Sequence, residues 1–468
     1  MEISGTAKNL QKKGSKEQAS ILRAAVMTSF LTSFMSSALN LSIPQLETEF
    51  GVGAALIGWV ITTYTLAVAA MSVPFGKVAD IKGRRSVFFL GIGGFVAASL
   101  LCAASINIWM LLTLRAAQGL FAAMIFATNN AILIDAHPAN QRGRVLGLST
   151  AATYVGLSAG PVIGGFLNHY LNWRSIFLAT AVISAAVLLL AIKGIPKRPQ
   201  PETSMKFDLW GNVLYIACIV VTLYGLTNLS ILKYGWVILV CGILLGAAFV
   251  AVELRQTEPV IRVSMFTESA AFTLSNLAAL LNYGATYAIS YLMSIYLQVI
   301  MGFSSQTAGL ILIAQPVMQA LFSPAMGKLS DRIAPYKLAS LGMGFCTGGL
   351  VMFSFVGIST SLWFILLALI FSGFGFGLFS SPNTNAVMSC VKKEDYSVAN
   401  SILATMRTVG HTSSMAVVTI VVGFTLGNTT LDAAAPADLV STMRTAFQVF
   451  IILCVAGVFM SLKRGKNS

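Results

Sequence analysis

Charge is scarce in this chain. Only 10% of its 468 residues are Asp, Glu, Lys or Arg, less than half the share usual in soluble domains. Hydrophobic residues make up 56%. A soluble fold of this length could not hide that much apolar surface, whereas lipid can replace water around the outer faces of helices. Acids are the scarcest charges: there are sixteen, and none falls in the middle of an apolar run. The six cysteines (Cys102, Cys218, Cys241, Cys346, Cys390, Cys454) have neither metal-ligand spacing nor a pairing framework, so they read as small apolar residues and no metal site or cofactor is expected. The chain also lacks a phosphate-binding Gly-rich loop, an HExxH pair and a nucleophile elbow. ATP-driven transport and membrane hydrolysis therefore have no support, and an enzyme is not expected. No small-residue cleavage site follows the polar, lysine-bearing stretch Met1 to Ser20, so the first helix is expected to be retained.

What the chain has instead is a series of long apolar runs. A membrane helix needs about 20 apolar residues, and fourteen runs qualify. They lie near 21–43, 56–78, 86–106, 109–134, 145–167, 175–193, 209–229, 235–253, 270–299, 306–328, 337–357, 362–388, 398–426 and 444–462. The net charge of +14 is not gathered into a nucleic-acid-binding patch but split into short clusters between the runs. With the N-terminus placed in the cytoplasm, 25 of the 30 Lys and Arg residues fall on the inner side and only Arg174, Lys233 and Arg444 outside. That asymmetry orients a plasma-membrane protein with both termini in the cytoplasm.

The chain also repeats itself. Gly76-Lys77-Val78-Ala79-Asp80 after the second run returns as Gly327-Lys328-Leu329-Ser330-Asp331 after the tenth. Asn130-Ala131-Ile132 resembles Asn385-Ala386-Val387 in the same order. This predicts an all-α membrane fold of two pseudo-symmetric six-helix halves, residues 21–193 and 270–462. An inserted helix pair would span 209–253, between cytoplasmic segments 194–208 and 254–269, with tails at 1–20 and 463–468. Parallel halves of this kind are a transporter architecture, with the substrate site near the membrane midplane.

The segment Gly76-Lys-Val-Ala-Asp80-Ile-Lys-Gly83-Arg84-Arg85 puts an acid at one end of a short turn and paired arginines at the other. Asp80 can accept charge-assisted hydrogen bonds from an arginine or a helix N-terminus. Such a contact would latch cytoplasmic helix ends in one conformation and release them in the other. Gly327, Asp331 and Arg332 are its second copy.

This stretch resembles the signature loop of the major facilitator superfamily. Arg115-Ala-Ala-Gln118-Gly119 is similar to that family's intramembrane arginine motif, and Gly156-Leu-Ser-Ala-Gly160-Pro161-Val-Ile-Gly164-Gly165 to its antiporter motif. Asn40-Leu-Ser-Ile-Pro44, taken with fourteen runs, resembles the drug:proton antiporter branch. The resemblance implies proton-coupled export of drug-like compounds. One departure stands out: that branch commonly carries an aspartate where this chain has Met35.

Ionisable residues inside a membrane are functional candidates by default. Arg115 lies within the fourth run and Arg407 within the thirteenth, the latter in Arg407-Thr-Val-Gly410 as the family pattern has it. His411 follows one turn later on the same face. Imidazole titrates near physiological pH, so His411 is a candidate for proton coupling, as is Asp135; a histidine merely hydrogen-bonded between helices is the alternative. Arg115 and Arg407 are expected to line a cavity, or else to cap helix carbonyls. Two arginines and no central acid favour neutral, zwitterionic or anionic substrates. Asn40, Tyr64, Asn129, Tyr287, Tyr291, Gln315 and Asn383 are further lining candidates. The expected partners are a small-molecule substrate, protons and the lipid bilayer, without nucleic acid and with the protein as a monomer. The expected function is proton-antiport export of small amphipathic molecules. The rivals are transport of a specific anionic or zwitterionic metabolite or lipid precursor, and a membrane sensor without turnover.

Overall fold

The computed structural model describes residues 2–39, 42–52, 54–195, 208–229, 234–256, 259–425 and 435–464, with the side chains of 2–15, 43, 44, 47, 54–58, 161 and 305 outside that description. The described residues are helical in succession: α1 (Glu2–Ser37), α2 (Ile43–Phe50), α3 (Ala54–Lys82), α4 (Arg84–Ala103), α5 (Ile108–Ala136), α6 (Arg142–Tyr170), α7 (Trp173–Gly194), α8 (Leu209–Thr227) and α9 (Gly235–Glu253). They continue with α10 (Ser264–Glu268), α11 (Ala270–Thr286), α12 (Ala288–Ile295), α13 (Ser305–Leu312), α14 (Ala314–Leu329), α15 (Pro335–Ser354), α16 (Leu362–Ser389), α17 (Tyr396–Thr425) and α18 (Pro436–Lys463). Helix starts follow local chemistry. Asn107, Asn172, Asp208 and Ser269 each accept a hydrogen bond from a backbone N–H three residues on, and Pro335 and Pro436 sit in first turns where no N–H partner is lost.

Twelve stretches among the described residues are long and apolar enough to cross a membrane. Two of the fourteen predicted runs do not qualify. The run near 270–299 is broken at Tyr287 into pieces of 17, 8 and 5 residues, the last a π-helix over Tyr296–Ile300; each is shorter than a crossing. Helix α15 has the length, at 20 residues, but Gly342, Gly344, Gly348 and Gly349 together with Lys337 and Thr347 dilute its apolar character.

Three predicted boundaries also move. The polar stretch before residue 21 is helical and continuous with the first run as α1 from Glu2, while at its other end α1 stops at Ser37 and the chain restarts as α2. Helix α18 begins at Pro436, ahead of the predicted run at 444–462. Arg444, counted above as outside, lies within this helix, and its Nε donates to the Val356 carbonyl at 2.8 Å.

The chain forms two compact units: Met1–Phe207 with Lys392–Ser401, and Asp208–Val391 with Ile402–Ser468. The predicted inserted pair, α8 and α9, belongs to the second unit. There Tyr215 on α8 hydrogen-bonds Thr405 on α17 at 2.8 Å and stacks edge-on to Phe249 of α9 at 5.6 Å. In the first unit, α6 lies against α1 through its small residues. A Cβ on Gly160 would come 2.0 Å from Ser37 Oγ, and one on Gly164 2.3 Å from the Ala38 carbonyl oxygen, so only glycine allows this approach. The side chain of Pro161 lies outside the described residues.

Two polar clusters fix helix ends. Glu49 of α2 accepts from Trp173 Nε1 at 2.6 Å and pairs with Arg174 at 2.6 Å; Arg174 also reaches the Ser105 carbonyl at 3.1 Å. In the second unit Arg464, assigned by its sequence position to a tail, is 1% exposed. It donates to Ser275 Oγ at 2.8 Å, Asn383 Oδ1 at 2.6 Å, the Ser461 carbonyl at 3.1 Å and Ser461 Oγ, tying α11, α16 and α18 together. Replacing Arg464 by alanine leaves buried acceptors unsatisfied and should destabilise the protein by about 3 kcal/mol, read as a lowered melting temperature, with Arg464→Lys intermediate.

The hydrogen bond from Arg174, and then that from Trp173, hold Glu49 below the usual carboxylate range. A depressed carboxylate contributes stability above its unfolded value, about 4.3, and loses it as pH falls through the folded value. The melting temperature of wild type should therefore exceed that of Glu49→Gln at pH 7, and the gap should close below about pH 4.

Candidate functional site

The chemistry-bearing residues gather in two places, one in each unit. In the first unit α3 and α4 meet at Gly83, whose φ of 97° lies in the left-handed region that glycine alone enters freely. The turn sets Arg84 back over Asp80: Arg84 Nε is 3.0 Å and its terminal nitrogen 2.9 Å from Asp80 Oδ1. The same guanidinium reaches Ser397 Oγ at 3.1 Å, the Lys393 carbonyl, and Asp135 at 3.4 Å. Asp80 Oδ2 accepts the backbone N–H of Val398 at 3.2 Å, in the first turn of α17. Both acceptances suggested by the sequence thus occur at one carboxylate, from an arginine and from a helix N-terminus, where the unpaired N–H groups and the helix dipole favour an anion.

Gly76 lets the segment come this close, since a Cβ there would fall 2.7 Å from Ser401 Oγ and 2.9 Å from the Ser397 carbonyl oxygen. Asp135, at the end of α5, also pairs with Lys393 at 3.2 Å. Asn130, a turn earlier, donates to Asn400 Oδ1 at 2.8 Å. Arg85 points away, donating to the Ile195 carbonyl at 2.9 Å and lying 4.5 Å over the Phe89 ring.

The second copy is built differently. Ser330, between Gly327 and Asp331, donates to the Gly327 carbonyl at 2.7 Å and accepts from Asn385 Nδ2 at 3.1 Å. Backbone N–H groups of Asp331 and Arg332 close a turn on Lys328 and Leu329.

In the second unit, α17 carries Arg407 and His411 at mid-helix. His411 lies parallel to the Tyr287 ring at 4.1 Å and edge-on to Tyr283 at 5.4 Å. The Arg407 guanidinium sits 5.2 Å over Tyr283. Tyr287 marks the break between α11 and α12, and Ser414 of α17 accepts the Ala288 N–H freed nearby at 3.1 Å. A neighbouring side chain that re-satisfies the backbone makes such a break tolerable in a membrane.

Several predicted lining residues are buried and hydrogen-bonded in this structure. Arg115 is fully buried; it donates to the Val60 carbonyl at 2.8 Å and Gln118 Oε1 at 2.6 Å, with its guanidinium 4.4 Å over the Tyr64 ring. Capping a carbonyl, the alternative reading of this arginine, is what it does here, because a buried guanidinium needs acceptors wherever it lies. Tyr64 donates to the Thr32 carbonyl at 3.1 Å. Asn129 is enclosed by Thr28, Ser29 and the Ala25 carbonyl, and Asn383 by Arg464 and Ser275. Gln315 is buried, while Tyr287 and Tyr291 remain open. Asn40 lies outside the described residues.

Sequence reasoning missed Lys393, Ser397 and Asn400 in the first cluster and Arg464 in the second unit. The charged run Lys392-Lys393-Glu394-Asp395 just before an apolar stretch signals a helix start, and a helix start is the natural partner for Asp80.

The chain matches the model of the Major Facilitator Superfamily over residues 25–412 and 275–467. It is 30% identical over 381 residues to the riboflavin transporter RibZ of Clostridioides difficile, covering 81% of this chain and 82% of that one. It is 28% identical to the multidrug resistance protein Stp of Mycobacterium tuberculosis (81% and 71% covered) and 27% identical to the cephamycin export protein CmcT of Amycolatopsis lactamdurans (97% and 94% covered). The crystal structure of the human organic anion transporter MFSD10 superposes with a TM-score of 0.65 at 15% identity, covering 93% of this chain and 99% of that one, which speaks to fold alone. The chain belongs to the Major Facilitator Superfamily: it is a multi-pass membrane transporter and not an enzyme.

Proposed function

We propose that this transporter exports small amphipathic organic molecules in exchange for protons by alternating access. The observation that carries the reading is the carboxylate of Asp80, held at once by Arg84 and by the N-terminus of α17. A contact made of exchangeable charge-assisted hydrogen bonds at a helix end can close and reopen, which a rocking transporter requires. Relatives named for multidrug resistance, cephamycin export and riboflavin transport support an organic substrate.

In this reading fourteen segments cross the plasma membrane: the twelve qualifying stretches, the broken run from Ala270 to Ile300, and α15. Both termini lie in the cytoplasm, and the protein works as a monomer of two related halves. His411 and Asp135 are the proton-coupling groups. Asp135 shares Arg84 and Lys393 with the latch, so its protonation loosens the contact that Asp80 anchors. An anionic or zwitterionic metabolite is the second reading of the substrate, favoured by Arg407 in a second-unit helix that contains no acid.

The test uses purified protein in liposomes holding a pH-sensitive dye. A pH gradient is imposed and cationic, neutral and anionic compounds are added. Substrate-dependent proton flux is expected, and its loss in His411→Ala and Asp135→Asn, with substrate binding retained in Asp135→Asn. Binding without flux from any compound would contradict antiport. Asp80→Asn keeps the side chain's shape but removes its charge; exchange should fall by about tenfold or more, as expected for the loss of about 1.4 kcal/mol at a step that reforms the latch. Unchanged exchange in Asp80→Asn would remove the latch from the cycle.

A further inference from the structure

The mid-membrane cluster of the second unit has a shape that proton coupling alone does not use. Arg407, Tyr283, His411 and Tyr287 form a column, each resting on the ring of the next, at 5.2, 5.4 and 4.1 Å. The column is rigid at its base. Gly410 brings α17 against α11 so closely that a Cβ would lie 2.8 Å from the Leu280 carbonyl oxygen. Tyr283 is 4% exposed, its hydroxyl 3.3 Å from Ser380 Oγ and its ring edge-on to Phe376 at 5.2 Å.

The other end is open. His411 covers one face of Tyr287, yet Tyr287 is 49% exposed, and Tyr291, one turn on, is 40% exposed. A tyrosine turned to lipid would have no use for a histidine and an arginine behind it. His411 lies fifteen residues into α17, about 22 Å along its axis and so near the membrane centre. Ionisable groups at that depth face a bundle interior or a water-filled cavity. The interruption of the helical hydrogen bonding at Ala288, whose N–H goes to Ser414 instead, agrees, because interrupted helices at mid-depth line binding sites in transporters.

We propose that Tyr287 is a stacking platform for the transported molecule, and that the substrate class is a flat, fused heteroaromatic ring system, neutral or anionic. This rests on the transport reading above and adds the substrate chemistry to it. A planar ring laid on Tyr287 extends the column by one member, replacing water on an already oriented aromatic face. Charge selects against cations of the same shape. Arg407 stands at the base of the column, and α11, α12 and α17 contain no Asp or Glu to balance a positive ligand. A tyrosine face alone would attract cations; the arginine reverses that preference.

The experiment measures binding to the full chain in nanodiscs by fluorescence quenching, with four probes. Riboflavin is flat and neutral, flavin mononucleotide flat and anionic, acriflavine flat and cationic, and tetraphenylphosphonium cationic and not flat. The two flavins should bind more tightly than either cation, a comparison that needs no variant. Tyr287→Leu should weaken flavin binding about tenfold, the scale of one lost ring-on-ring contact. Tyr287→Phe, which keeps the ring, should stay within about twofold of wild type. Tighter binding of acriflavine than of the flavins, equal flavin binding in Tyr287→Leu, or no binding of any flavin would each overturn the proposal. None of these touches the transport reading, which stands or falls on substrate-driven proton flux in liposomes.

Discussion

A polar group placed in lipid must find its partner inside the protein, and that constraint organises everything described above. The helices meet it for the backbone. Side chains must meet it one by one. Asn129 does so on Ser29 and Ala25, and Arg115 does so in part, on the Val60 carbonyl and Gln118, with one terminal nitrogen making no hydrogen bond. The broken run at Tyr287 meets it by handing the Ala288 N–H to Ser414. Groups that meet the requirement completely become structural, and a transporter needs some that meet it only in one state. The partners of the Asp80 cluster include the N-terminus of another helix and solvent-facing Lys393, contacts that water can replace.

Helix α17 links the two sites. Its first turns, with the preceding Lys392 to Asp395, pack with the first unit at Asp80, Arg84, Asp135 and Asn130, and from Ile402 onward it packs with the second. Arg407 and His411 stand two to three turns beyond Ser401 on the same continuous helix.

The membrane class and most of the helices were legible in the sequence because both follow from run length and apolar content. Boundaries failed where polar residues have local partners that composition does not reveal, as with Arg444 in the first turns of α18 and Arg464 at its end. In the loop from Gly76 to Arg85 the contact of Arg84 with Asp80 was legible, since an acid four residues before an arginine can pair with it. Its partner helix was not, because Asp80 and Val398 are separated by most of the chain. The lining residues were the least legible. Tyr64, Asn129 and Asn383 look like Tyr287 and Tyr291 in sequence, and only helix rotation separates the buried from the open. An all-helical chain of nearly uniform hydrophobicity carries little periodic signal to fix that rotation.

The central claim is that the contact between the α5 end and the start of α17 must open in each cycle. It can be tested by replacing the six native cysteines, introducing Asn130→Cys and Asn400→Cys, whose side chains meet at 2.8 Å in the native protein, and bridging the pair with a short bis-methanethiosulfonate, which loses a sulfinate as each reducible disulfide forms. Substrate exchange in liposomes should stop when the bridge forms and return when it is reduced, with each single cysteine variant unaffected by the reagent. Exchange that continues at the wild-type rate in fully bridged protein would contradict the account.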